Sequence, residues 1–152
     1  MSGQGQTVHI TASPEQTEAL GARVGAAVPA GVVALFGGLG MGKTAFVRGM
    51  AAGRGLSAEV SSPTFALVHE YGGQPPLVHF DMYRVSGWDD LYSTGFFDYL
   101  DAGCLLAVEW SENIEAALPE DAVRVRFERL DDDTRRITIE GGERYGVYDT
   151  GA

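Results

Sequence analysis

The chain holds a single lysine, and that lysine, Lys43, sits near the end of the run Gly37-Gly38-Leu39-Gly40-Met41-Gly42-Lys43-Thr44. The run matches G-x-x-x-x-G-K-[ST], a pattern that needs a strand before it and a helix after it. Both are present. Val32-Val33-Ala34-Leu35-Phe36 is an apolar run of strand length. Ala45-Phe46-Val47-Arg48-Gly49-Met50-Ala51-Ala52 continues as a helix in spite of Gly49. Between them the glycines let successive backbone N–H groups turn inward around a phosphate, and the helix N-terminus adds partial positive charge. The backbone of Gly38, Leu39, Gly40, Met41, Gly42, Lys43, Thr44 and Ala45 therefore forms the candidate phosphate cradle. Lys43 is expected to reach the β- and γ-phosphates, and the Thr44 hydroxyl to ligate Mg²⁺. Ten of the eleven basic residues are arginine, so the one compact ammonium falls where this chemistry uses it. A nucleoside triphosphate is the ligand these residues imply.

The rest of the chain reads as an α/β domain around this unit. Val8-His9-Ile10 is a short strand. Ser13-Pro14-Glu15-Gln16 opens a helix, with Ser13 as N-cap, Pro14 at the first helical position and Gln16 closing a capping box. Leu20, Val24 and Val28 give that helix a core-facing stripe. Residues 66–71 and 77–81 are strands joined by the turn Gly72-Gly73-Gln74-Pro75-Pro76, so the central sheet is expected to be mixed, parallel and antiparallel. Residues 88–100 are helical or irregular. Cys104-Leu105-Leu106-Ala107-Val108-Glu109 is a further apolar strand. Val123-Arg124-Val125-Arg126-Phe127 alternates as a half-buried strand does, and residues 135–140 pair with it across a turn at 131–134. At 152 residues the chain is read as one P-loop domain, with an ordered core of about residues 8–140 and a tail at 141–152.

A phosphate cradle needs a second acid at the tip of a neighbouring strand to hold Mg²⁺, directly or through water. Two strands end in one, residues 77–81 in Asp81 and residues 105–109 in Glu109, and local pattern does not rank them. Ser61-Ser62-Pro63-Thr64 follows the P-loop helix where many P-loop NTPases place a loop that senses the γ-phosphate, which makes Thr64 a candidate contact. Arg124, Arg126, Arg129, Arg135 and Arg136 cluster around Asp131-Asp132-Asp133. They read either as a solvated hairpin or as a nucleotide or partner contact, with Arg135 the candidate nucleotide ligand.

Several functions are disfavoured by what the sequence carries. A net charge of −10 argues against independent nucleic-acid binding. The guanine-selecting [NT]-K-x-D motif needs a second lysine, so ATP is favoured over GTP. The lone Cys104, in an apolar run, reads as a buried structural thiol. No apolar run reaches membrane-helix length, the N-terminus shows no signal-peptide pattern, and a cytoplasmic location is expected.

Taken in order, residues 37–44, Ser62-Pro63-Thr64-Phe65, Leu67-Val68-His69-Glu70-Tyr71, His79-Phe80-Asp81-Met82-Tyr83-Arg84 and Val108-Glu109-Trp110-Ser111-Glu112 resemble the TsaE (YjeE) family, over about residues 11–140. That family is the bacterial ATPase needed to make threonylcarbamoyladenosine in tRNA. The resemblance implies a P-loop fold with a mixed sheet and Mg²⁺-ATP as ligand. It implies docking on the threonylcarbamoyl transferase subunit (TsaD-like) and its paralogue (TsaB-like), with tRNA met only through that complex. It favours Thr44 and Glu109 as metal ligands, and gives Asp81, beside Lys43, a catalytic or water-positioning role. Two departures stand out: Gly38 where the family usually has Asp, and Met41 where it usually has Ala. The alternatives are a small-molecule P-loop kinase, with residues 124–136 as its arginine-rich lid, or a nucleotide-responsive binding module without turnover.

Overall fold

A computed structural model describes residues 5–38, 42–56 and 68–141. Seven strands form one sheet: β1 (Gln6–Thr11), β2 (Gly31–Phe36), β3 (Val68–Gly73), β4 (Pro76–Asp81), β5 (Leu105–Glu109), β6 (Val123–Arg129) and β7 (Arg135–Glu140). The spatial order is β1-β7-β6-β2-β5-β4-β3. The four central strands, β6, β2, β5 and β4, run parallel, and antiparallel pairs close both sides: β6–β7–β1 on one, β4–β3 on the other. The mixed sheet expected from the sequence is present. The hairpin of β3 and β4 turns at Gln74 and Pro75, more tightly than the five-residue turn read from composition.

Strand β2 is covered on both sides and is accordingly apolar along its whole length. Its odd-numbered residues, Val33 and Leu35, face one core with Leu77, Leu105 and Ala107. Its even-numbered residues, Val32, Ala34 and Phe36, face a second core with Val78, Phe80 and Leu106.

The first core is roofed by α1 (Pro14–Ala27) and α2 (Lys43–Gly53). Helix α1 starts as its sequence dictates, with Ser13 Oγ accepting from the Gln16 N–H at 3.1 Å. The Gln16 side chain accepts from the Ala12 N–H at 2.7 Å, one residue before the cap, a displaced version of the expected capping box. Leu20, Val24 and Val28 are buried as the stripe predicted. Gly49, which reads in sequence as a weak point in α2, is a contact point. A Cβ there would lie 1.9 Å from the Glu18 carbonyl oxygen, and one at Gly21 would lie 2.1 Å from that of Phe46. Gly25 and Gly53 repeat the arrangement one turn on, so the helices meet backbone to backbone.

The second core is roofed by short pieces: α3 (Trp88–Ser93), α4 (Phe96–Asp101) and a 3₁₀ helix (Ser111–Ala117). Residues 88–100 are thus two six-residue helices hinged at Gly95. Cys104 is buried beneath them, as expected, and burial raises its thiol pKa. Among the described residues no helix is long and apolar enough to cross a membrane. Residues 142–152, read as a tail, lie outside the described residues.

Candidate nucleotide site

The parallel register sets the site. Asp81 and Glu109 are paired across β4 and β5, and β5 lies directly against β2, the strand that feeds the phosphate loop. Both acids that the sequence offered as alternatives therefore stand side by side at the carboxyl edge of the sheet. The edge where the order of parallel strands reverses is where α/β sheets bind ligands. Gly42 takes φ 97°, a conformation that favours glycine, and its carbonyl accepts the first bond of the new helix from Phe46 N–H at 3.1 Å. Lys43 follows as the first residue of α2, with Thr44 and Ala45 in its opening turn.

Lys43 is buried, 4 % exposed, in a cage of its own chain. Its Nζ donates to the Gly37 carbonyl at 2.6 Å and lies 4.5 Å from the centre of the Trp110 ring. Burial lowers the ammonium pKa, against the upward pull of Glu109, Glu112 and Asp81. Three carboxylates and one desolvated cation therefore share the strand tips. The Gly37 N–H is itself held by Glu112 Oε2 at 2.9 Å, which fastens the start of the loop to the 3₁₀ helix.

Glu109 is oriented from below. His79 is wholly buried, and its Nε2 lies 2.6 Å from Glu109 Oε2. A carboxylate accepts, so Nε2–H donates to it, and on the other side of the ring Nδ1 lies 3.3 Å from the Tyr71 hydroxyl. Tyr71 OH also lies 3.4 Å from His69 Nδ1. Asp81 differs in kind. It is half-buried, and its Oδ1 accepts from the Tyr83 N–H at 2.9 Å. Burial raises its pKa; the Tyr83 bond opposes this, Glu109 adds to it, and His79 and Lys43 pull back down. One acid is buried and held by His79, the other is half-buried and held by a backbone N–H.

The loops beyond β4 and β5 are laced together. Met82 N–H donates to the Glu109 carbonyl at 3.1 Å, and Asn113 Nδ2 donates to the carbonyls of Met82 and Tyr83 at 2.8 and 3.1 Å. Trp110 adopts φ 59°, ψ 41°, the left-handed region that costs a bulky residue roughly 1–2 kcal/mol. That conformation carries its ring over Lys43 and against Tyr83, ring centres 4.9 Å apart.

Of the residues expected from sequence, Lys43, Asp81 and Glu109 are brought together, and Gly38, Gly42, Thr44 and Ala45 flank them. Leu39, Gly40, Met41 and Thr64 lie outside the described residues. A Cβ at Gly38 would meet nothing within 4 Å, so packing does not demand glycine there. Arg135 is the first residue of β7, at the same edge of the sheet, and its Nη1 donates to the turn carbonyls of Asp131, Asp132 and Thr134 at 2.8, 3.2 and 3.2 Å. The arginine cluster is a hairpin of the sheet. Arg126 pairs with Glu140 at 2.9 Å, Arg136 with Glu128 at 3.5 Å, and Arg129 with Asp132.

Three participants were not identified from sequence: His79, Glu112 and Trp110. His79 had a legible signal, since it alternates with Leu77 and Asp81 and must face the same side of the strand. Glu112 and Trp110 had none, because a left-handed turn at a non-glycine residue is not written in local composition.

The donors here are hard oxygens: two carboxylates at the strand tips and the Thr44 hydroxyl in the first turn of α2. That set suits Mg²⁺, which takes few protein ligands and completes its shell with water and phosphate oxygens.

Comparison with known proteins agrees with this geometry. Residues 11–137 match the family model of "Threonylcarbamoyl adenosine biosynthesis protein TsaE". The chain is 39 % identical over 138 residues to the tRNA threonylcarbamoyladenosine biosynthesis protein TsaE of Bacillus subtilis, covering 89 % of this chain and 86 % of that protein. It is 36 % identical over 131 residues to the protein of the same name from Treponema pallidum, covering 86 % of this chain and 97 % of that one. A crystal structure of Bacillus subtilis YdiB superposes with a TM-score of 0.76 at 35 % identity, over 96 % of this chain and 93 % of the other.

Proposed function

The chain belongs to the TsaE family, and from that premise we propose that it binds and hydrolyses Mg²⁺-ATP as an accessory factor in tRNA threonylcarbamoyladenosine biosynthesis, modifying adenosine 37 through a complex on which it docks. The observation that carries the reading is the grouping of Asp81 and Glu109, on adjoining strand tips, with Lys43, at the start of α2, beside the glycine run. A binding module without turnover has no use for two acids in different environments beside one buried cation.

In this reading the backbone from Gly38 to Ala45 cradles the phosphates, and Lys43 sets its charge against the β- and γ-oxygens. Thr44 and Glu109 hold Mg²⁺, which when bound neutralises phosphate charge. His79 fixes the Glu109 carboxylate for that task. Asp81, whose pKa burial raises, orients the attacking water and takes its proton as the bond from the γ-phosphorus to the ADP oxygen breaks. Thr64 and Arg135 are further nucleotide contacts. No arginine is bonded to Lys43, Asp81 or Glu109 among the described residues, so turnover alone is slow. Arg84, two residues past Tyr83's neighbour Met82, or a partner supplies the missing charge.

The partners are the threonylcarbamoyl transferase subunit and its paralogue. A net charge of −10 suits a protein that leaves tRNA to them. The test is ATP hydrolysis by wild type, Lys43→Ala, Asp81→Asn and Glu109→Gln, with and without the transferase pair. Stimulation by the pair, lost in all three variants, is expected. Turnover unaffected by the pair but accelerated by a small-molecule acceptor would favour a kinase.

A further inference from the structure

The charge of this protein is very unevenly placed. Residues 85–123 contain nine carboxylates and no lysine, arginine or histidine, whereas the rest of the chain sets twelve acids against eleven bases. Nearly all of the net −10 therefore lies on the segment that builds α3, α4, β5 and the 3₁₀ helix, the roof of the second core.

That same roof exposes its aromatic residues. Trp88 is 53 % and Tyr92 64 % exposed. Their rings form one cluster with Phe97, with centroids 6.4 Å apart for Trp88 and Tyr92 and 5.0 Å for Tyr92 and Phe97. Beside the cluster runs a groove of about 270 Å³ whose walls include Trp88, Leu91, Ile114, Ala116 and Ala117. Asp89 and Glu115 are exposed on α3 and the 3₁₀ helix, which line it, and Asp98 is exposed on α4, next to Phe97 of the cluster. Exposed aromatic side chains beside an apolar groove mark an interaction site, and aromatic anchors dominate such interfaces.

We propose that this groove docks a protein segment carrying an aliphatic or aromatic side chain among lysines and arginines. Apolar walls on a segment that carries nine carboxylates and no base select that chemistry, because a neutral segment gains nothing from those charges and an acidic one, or a nucleic acid backbone, is repelled by them. The inference rests on the reading that the protein works docked on a transferase pair, and it assigns the surface used.

The surface is wired to the nucleotide site. The 3₁₀ helix presents Ala116 and Ala117 to the groove, while Glu112 in its first turn holds the Gly37 N–H and Trp110 at its cap covers Lys43. Asn113, which also lines the groove, bonds the loop that follows Asp81. A segment seated there bears on both ends of the catalytic edge, so docking and nucleotide binding change each other's affinity by the same factor.

The test is a calorimetric titration of the purified transferase pair with wild type, Trp88→Ala/Tyr92→Ala, and Asp89→Asn/Asp98→Asn/Glu115→Gln, at low and high KCl. Affinity for a fluorescent ATP analogue in the isolated protein serves as the control. Wild type is expected to bind. The aromatic variant should bind at least tenfold more weakly, and the amide variant should weaken mainly at low salt. Both should keep wild-type affinity for the analogue. Binding by wild type with both variants unimpaired overturns the surface assignment alone. No binding by wild type overturns the docking reading and the surface with it. Wild type that self-associates in sedimentation, with Trp88→Ala/Tyr92→Ala monomeric, would make the occupant a second copy and also overturn it.

Discussion

The two sides of the sheet are built on opposite principles. On one side, α1 and α2 run 14 and 11 residues and meet through glycines so closely that backbone touches backbone. On the other, α3 and α4 are six residues each, the third piece is a 3₁₀ helix with a kink at Ile114, and large aromatic side chains stand in solvent. The titratable groups of the strand tips and Lys43 belong to the first side or its edge: Lys43 opens α2, and Asp81, His79 and Glu109 point the same way as the first core's Leu77 and Ala107, while Glu112 and Trp110, which fasten the loop and cover Lys43, reach over from the second. The proposed docking groove belongs to the second. Chemistry that needs sub-ångström placement sits on long helices locked by close packing. Recognition sits on short helices with few mutual contacts, which cost less to rearrange.

The largest test of this contrast is a pair of glycines. In Gly49→Ala the new Cβ would fall 1.9 Å from the Glu18 carbonyl, so α1 and α2 must separate. The expected loss is about 3 kcal/mol, seen as a lower midpoint in urea. Gly87, at the start of α3, is extended and has nothing within 4 Å of its Cβ position. Gly87→Ala should change stability by under about 0.5 kcal/mol. Equal losses at the two positions would erase the distinction between the faces.

Lys43→Ala comes next. At a nucleotide concentration of 100 times Kd, Mg²⁺-ATP should stabilise wild type by about 2.7 kcal/mol, and the variant should lose most of that gain in a thermal melt. Trp88→Ala, on the other side, should keep all of it. A Lys43→Ala protein that still responds fully would remove the nucleotide from the rigid face.

How much of this was legible in the sequence depended on the range of the interaction. Ser13, Pro14 and Gln16 signal a helix start within four residues, and the structure has one there. The alternation at residues 123–127 shows a strand, and β6 is that strand. The P-loop is legible for the same reason, since all its parts are contiguous. Asp81 and Glu109 were each visible as strand-end acids, but their pairing is a register between strands 28 residues apart, which no local window contains. Gly49 misled in the same way. Its cost to α2 is local, and its reason, the Glu18 carbonyl, lies on another helix.

A finer test concerns what holds Glu109. His79→Ala removes the 2.6 Å partner of its carboxylate. Affinity for nucleotide in the presence of Mg²⁺ should fall about tenfold, while affinity in EDTA stays near wild type. His79→Gln, which can still donate, should recover part of the loss. Equal weakening with and without Mg²⁺ would mean that His79 supports the core and does not position the acid.

The smallest effect distinguishes the two acids by pH. Burial raises the Asp81 pKa in the folded protein, so the native state holds this proton more tightly than the unfolded chain. The contribution of Asp81 to stability is therefore greatest below its unfolded-state pKa and is lost as pH rises through the higher folded value. Once ionised, the half-buried carboxylate destabilises the fold. Asp81→Asn removes the titration and keeps the shape. Its Tm relative to wild type should rise as pH is taken from below the carboxylate range to neutrality, by a few degrees at most, while hydrolysis is lost. Measuring both Tm curves across that range decides the matter. A Tm difference that is flat, or that shrinks toward neutrality, would show that Asp81 is no more basic in the fold than outside it, and the role of base would pass to another group at the strand tips.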